Sequence, residues 1–256
     1  MTRFRPCIDL HDGKVKQIVG STLQDIGAGP KENFVSDQSA AWFAHRYRED
    51  GLTGGHVIML GGGNEEVALQ ALEAFPGGLQ IGGGIKAVNA LKYLEAGASH
   101  VIVTSAIFDA DGKFNERELE TIAEVVGRDR LVLDLSCKAH EGGWRVAMNR
   151  WQLLTDLKVD EAAFRRLSPY CAEFLIHAVD VEGKCEGIDE DLVVHLAGWC
   201  GLPMTYAGGA RSLEDLKLVD RLSDGKIDVT IGSALDIFGG SGVKYEECVA
   251  FNRRVG

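Results

Sequence analysis

Short apolar runs punctuate the chain: PCIDL, HVIML, LQIGG, HVIVTS, LVLDLS, EFLIHAVD, MTYAGG and DVTIGS. They are apolar at nearly every position rather than at every second one, as strands covered on both faces are. Between them, apolar residues recur at helical spacing. NEEVALQALEAF, AVNALKYLEAG, NERELETIAEVVG, VDEAAFRRL, DEDLVVHLAG and SLEDLKLVDRL read as helices, and a last one begins near Lys244. Ser36 is expected to cap a helix carrying Ala40, Ala41, Phe43, Ala44 and Tyr47, with Gly51 as its stop. Strand and helix alternate eight times, so the sheet is parallel. Eight units favour a closed (β/α)8 TIM barrel over an open doubly wound sheet, as a single domain over residues 1–256.

One of these strands carries an acid. Asp134 sits inside LVLDL, and a carboxylate in an apolar run is costly to bury without partners. Barrel chemistry lies at the C-terminal ends of the strands, which is where Asp134 falls. Asp9, in CIDL, occupies the matching place on the first strand, 125 residues earlier. Gly83 and Gly84 follow the third strand, and Gly208 and Gly209 follow the seventh at the same offset of 125. The fourth strand ends in VTSA, with Thr104 and Ser105, and the eighth in IGSA, with Gly232 and Ser233. The match is poor at the second and sixth strands. The repeat still predicts two half-barrels, roughly residues 1–126 and 127–256.

A lone Gly-Gly is most simply a tight turn. Two pairs, each followed by a small hydroxyl residue at the next strand end, point instead to anion binding by backbone N–H groups. A short extra helix at SALDIF (233–238) would complete the second site. The expected ligand is long, with a phosphate at each end and its reactive part between Asp9 and Asp134. Opposed carboxylates suit proton transfer, one as base and the other as acid. The plainer role for either is a salt bridge or a loop cap.

Charge narrows the partners. The net charge of -11 argues against nucleic acid or an anionic membrane, though not against a small anion in a local site. Six cysteines, at 7, 137, 171, 185, 200 and 248, show no Cys-x-x-Cys pair and no metal-site spacing. They read as reduced thiols, with no metal expected. MTRFRPCIDL is read as running straight into a strand, and no run nears the ~20 apolar residues of a membrane helix. A cytoplasmic protein is expected.

RPCIDLHDGKVKQIVGS, LQIGGGIK, HVIVTSAIF, RLVLDLSCK, FLIHAVDVEGKCEGIDE, TYAGGA and DVTIGSALDIFGG strongly resemble a known family. It is that of the phosphoribosylformimino-5-aminoimidazole carboxamide ribotide isomerases of histidine biosynthesis, in its eukaryotic branch. The resemblance spans almost the whole chain. It implies a (β/α)8 barrel, a small-molecule substrate with two phosphates, no cofactor and an Amadori rearrangement. It also implies one acid per half-barrel, at Asp9 and Asp134. Asp134 would protonate the ribose ring oxygen, and Asp9 would take the proton from the carbon next to the resulting imine.

The match is loose in three places. Bacterial members carry Thr-Asp-Ile/Val at the sixth strand, where this chain has His177-Ala178-Val179 and an acid displaced to Asp180. The acid is therefore Asp134 or Asp180, and His177 is either a substrate contact or a satisfied strand-end histidine. In the loop after the fifth strand, Trp151 with Asn149 or Arg150 matches a family segment that folds over the substrate. Trp144 and Arg145 offer the same chemistry, and the loop reads as a mobile lid. At the second strand Met59-Leu60-Gly61-Gly62-Gly63 replaces an acidic family motif and carries no chemistry. Lys14 and Lys16 read as solvated surface.

The nearest rival is the cyclase subunit of imidazole glycerol phosphate synthase, which shares the paired aspartates. KVKQIVGS and the Trp-containing loop favour the isomerase. A non-catalytic bisphosphate sensor would gain nothing from two acids beside a polyanion. A monomer is expected, because the barrel closes on itself.

Overall fold

In the computed structural model, which describes residues 1–18, 32–149, 151–199 and 201–255, Pro6 divides the first barrel strand into β1 (Phe4–Arg5) and β2 (Cys7–His11). Proline has no N–H to give to a ladder, and the chain changes partner there. The chain continues through β3 (Lys14–Ile18), β4 (Glu32–Val35), α1 (Ala40–Glu49), β5 (Gly55–Met59), α2 (Glu65–Ala74), β6 (Leu79–Gly82) and α3 (Ala87–Glu95). Then follow β7 (Val101–Val103), α4 (Glu116–Val126), β8 (Leu131–His140), β9 (Gly143–Met148), β10 (Leu153–Lys158) and α5 (Glu161–Leu167). The last elements are β11 (Glu173–Ala178), α6 (Glu190–Ala197), β12 (Met204–Ala207), α7 (Leu213–Ser223), β13 (Ile227–Thr230) and α8 (Tyr245–Val255).

Parallel pairing runs β2–β5–β6–β7–β8–β11–β12–β13. β13 then pairs with β1, Phe4 opposite Val229, while β2 pairs with β5, Cys7 opposite His56. Only Pro6 separates β1 from β2, so the ring closes into the expected (β/α)8 barrel.

Each strand is buried twice over. Ile8, Val57, Ile81, Leu133, Phe174 and Val229 face the helices in the main core. Their neighbours Ile58, Ile102, Val132, Leu175 and Ala207 form a separate apolar layer within the ring. Two faces buried is what continuous apolar runs require. Toward the strand N-termini lies a polar layer, where Gln80 Nε2 and Thr205 Oγ1 donate to the two carboxylate oxygens of Glu173 at 3.0 and 2.9 Å. That pairing offsets the cost of burying an acid. Two residues beyond the apolar layer, toward the C-termini, come Thr104, Asp134 and His177.

Three local expectations change. Ser39, not Ser36, caps α1, its hydroxyl accepting from Trp42 N; Ser36 instead turns the chain by accepting from Gln38 N at 2.9 Å. SALDIF is not a full extra helix but a single 3-10 turn at Asp236–Phe238, matched by one at Ser105–Ile107 after β7. The segment after the fifth barrel strand, expected as a loop, is largely strand. β8 runs on past the barrel and folds back as the antiparallel strand β9, which pairs with β10. The first strand does the same, β2 turning into β3, which pairs with β4. Lys16 is buried in that hairpin, against Asp12 at 3.2 Å and Glu32 at 2.6 Å. The five described cysteines are unpaired, and Cys200 lies outside the described residues. Among the described residues no helix is long and apolar enough to cross a membrane.

Candidate active site

The C-terminal mouth of the barrel holds a cavity of about 420 Å³ and beside it a smaller one of about 50 Å³. Asp9, Gln17, His177 and Glu182 line both and form the wall between them. The larger lobe is floored by Gly83, Gly84, Thr104 and Ser105, with Asp134 and Trp151 on its sides and Ile18, Ile58, Ile102 and Met148 as apolar wall. The smaller is lined by Gly208, Gly209, Gly232 and Ser233. Each lobe therefore contains one Gly-Gly pair and one strand-end serine.

The glycines are required by close packing as well as by conformation. Gly83 has φ +94, and a Cβ there would lie 2.1 Å from Met59 O; Gly209 has φ +71, and a Cβ would lie 2.1 Å from Gly187 O. Both turns carry backbone past neighbouring backbone with no space for a side chain.

Asp134 is 6% exposed and engaged on both oxygens. Oδ1 lies 2.9 Å from His177 Nδ1, and Oδ2 accepts from the Thr104 hydroxyl at 2.9 Å. Burial alone would lower the His177 pKa, but the Asp134 carboxylate outweighs it, with Glu182 and Asp9 adding, and raises it to about 9. Asp9 is pushed above the usual carboxylate range by burial, against the pull of His177 and a hydrogen bond from Gln17. His56, buried beneath with its ring 6.2 Å from that of His177, is held neutral, its pKa lowered to about 3 by burial and by the His177 charge.

Two of these groups escaped the sequence reading. Gln17 Nε2 donates to Asp9 Oδ2 at 2.9 Å, and its Oε1 accepts from Ser233 Oγ at 3.2 Å. Gly232 leaves the room: a Cβ there would fall 2.5 Å from Gln17 Oε1. The only signal was a position in KVKQI, where the lysines drew attention. Glu182 is half-buried, and its Oε2 is buried with no hydrogen-bond partner among the described residues, 3.2 Å from where a Gly208 Cβ would sit. Burial pushes Glu182 up to about 6, against His177 and with Asp9 and Asp134. It stands two residues beyond Asp180, in a segment that only glycine spacing could align.

The structure does not bring Asp180 to the cavity. Its side chain is exposed, and Oδ2 accepts from Ala139 N at 2.7 Å, tying the end of β11 to the extension of β8. Trp151 faces the cavity, its ring 6.4 Å from that of His177. Trp144 points away, packed 5.1 Å from the His195 ring and donating from Nε1 to Asp189 at 3.3 Å. Arg150 lies outside the described residues.

A closed (β/α)8 barrel with buried acids lining a two-lobed cleft at its C-terminal mouth defines the class, a barrel enzyme. The particular family follows from comparison: the pattern of the histidine biosynthesis proteins matches residues 3–240, and the chain belongs to that family. A relative in Neurospora crassa is 56% identical over 99% of this chain and all of its own length. One in Saccharomyces cerevisiae is 51% identical over the full length of both. One in Medicago truncatula, described as chloroplastic, is 50% identical over 98% of this chain and 82% of its own. All three are 1-(5-phosphoribosyl)-5-((5-phosphoribosylamino)methylideneamino)imidazole-4-carboxamide isomerases.

Proposed function

We propose that this chain converts the bisphosphate aminoaldose named in its relatives into the corresponding aminoketose, by an Amadori rearrangement. The chain belongs to the histidine biosynthesis family and is an isomerase, as its full-length relatives are. The observation that carries the finer reading is the two-lobed cavity. Two Gly-Gly turns flank a polar wall that includes Asp9 and Glu182, which is the arrangement a substrate with a phosphate at each end would need.

In this reading each half-barrel, roughly residues 1–126 and 127–256, contributes one phosphate lobe and one carboxylate. Asp9 is the base. Acid is delivered from the Asp134 side to the ribose ring oxygen, and the ring opens to an iminium ion. Asp9 removes the proton from the adjacent carbon, and the resulting enolamine becomes the ketone. No step calls for a metal or cofactor, and the chain works as a monomer.

The test is turnover of the aminoaldose bisphosphate by the purified chain. Formation of the ketose is expected. No turnover, with ammonia-dependent consumption of the ketose instead, would replace this reading with the cyclase.

A further inference from the structure

The acid opposite Asp9 is held from two sides. Both Asp134 oxygens are hydrogen-bonded, one beside His177 Nδ1 and the other to the Thr104 hydroxyl, each at 2.9 Å. The neighbouring ring is better suited to carry the proton. Its Nδ1 is engaged by Asp134, its Nε2 has no hydrogen-bond partner among the described residues, and it lines both lobes. The titratable groups facing it are Asp134 on β8, Asp9 on β2, Glu182 beyond β11 and His56 on β5. Three are acids, and His56 is neutral. His177 is thus the one cation that the described lining of the wall supplies among three carboxylates.

Resting on the isomerase reading, we propose that His177, as imidazolium, is the catalytic acid that protonates the ribose ring oxygen, and that Asp134 is the positioning residue that keeps it charged and aimed. The Nε2–H bond breaks and an O–H bond forms at the ring oxygen. The bond from that oxygen to C1 breaks, its electron pair staying on oxygen, while the amine lone pair closes C=N. Asp9 then takes the C2 proton, and the freed pair forms C1=C2 as the C=N pair returns to nitrogen. Asp9 returns its proton to C1, and the C2 hydroxyl gives its proton to neutral His177. Both groups end as they began, and no outside oxidant or reductant is needed. A pKa near 9 keeps the imidazolium charged at neutral pH.

The test compares wild type with His177→Asn in kcat against pH, with binding of the substrate measured alongside, and adds free imidazoles to His177→Ala. Turnover by wild type comes first, because its absence defeats the isomerase reading itself. With wild type active, kcat should fall above about pH 9. His177→Asn should lose ~100-fold or more in kcat and the alkaline limb with it, while binding stays within about 3-fold. Free imidazoles should restore His177→Ala in the order of their acidity. An active wild type beside a His177→Asn enzyme within about 3-fold of its kcat, or one keeping the alkaline limb, would overturn the proposal and return the proton to Asp134. So would a folded His177→Ala enzyme that no imidazole rescues. Should neither variant fold, NMR titration of the wild-type ring decides: a ring charged to about pH 9 is expected, and one neutral at pH 7 sinks the proposal.

Discussion

Gln17 bridges Asp9 and Ser233: it donates to the carboxylate at 2.9 Å and accepts from the hydroxyl at 3.2 Å. The bond to Asp9 favours the ionised acid, opposing the burial that raises its pKa. A base must be ionised to act, so the acid limb of kcat reports this group. Gln17→Leu removes the bond, raises the Asp9 pKa further and moves the acid limb to higher pH. A pH–rate profile unchanged in its acid limb would deny Asp9 that role or Gln17 that influence.

Asp9→Asn keeps the shape of the site and the Gln17 contact but cannot take a proton from carbon. Turnover should fall ~100-fold or more. Product affinity, read by calorimetry, should stay within a few-fold because both lobes are intact. Loss of binding together with rate would assign Asp9 to substrate positioning instead.

Adjacent glycines should differ in what a methyl group costs. Gly83→Ala combines a left-handed φ with a Cβ 2.1 Å from Met59 O, whereas Gly84 has φ +73 but nothing within 4 Å. Gly84→Ala should cost ~1–2 kcal/mol of backbone strain. Gly83→Ala should cost ~3 kcal/mol or more, since backbone must also move. Denaturant unfolding of the two variants checks the order, and equal midpoints would refute it.

Glu182 ties stability to pH. Its pKa rises from 4.5 in the unfolded chain to about 6 in the fold, because burial disfavours the charged form. The folded state therefore holds the proton more tightly, and the stability it contributes is lost as pH rises from 4.5 through 6. Glu182→Gln removes that penalty. It should be ~1–2 kcal/mol more stable than wild type near pH 8 and indistinguishable near pH 4. Equal stability at both values would mean that water or a neighbour already satisfies the buried oxygen.

The two tryptophans of the β8–β10 extension should separate function from stability. Trp151 faces the cavity with its backbone at φ 65, a costly conformation for a bulky residue. Trp151→Ala should raise KM by ~10-fold with a small change in Tm. Trp144→Ala, which loses the His195 and Asp189 contacts, should lower stability by ~2 kcal/mol and leave KM alone. The reverse pattern would show that Trp144 reaches the substrate.

The sequence by itself determined the barrel and marked where chemistry could lie. Eight apolar runs separated by helical spacing leave few ways to bury both strand faces, and an acid inside LVLDL is too expensive to be incidental. The paired glycines were legible because turns with positive φ restrict residue type. Other choices depended on distant parts of the chain. Ser36 and Ser39 are equally able to cap, and only the docking of Ser36 N on Val15 O gives the cap to Ser39. GWRVAM follows a glycine-rich turn, and without its partner β8 it reads as loop. Asp180 and Glu182 are two residues apart, yet Ala139 N takes the first and the cavity receives the second. The proton between Asp134 and His177 likewise belongs to tertiary structure. Whether His177 is charged depends on burial and on the fields of Asp134, Glu182 and Asp9, which the fold brings together.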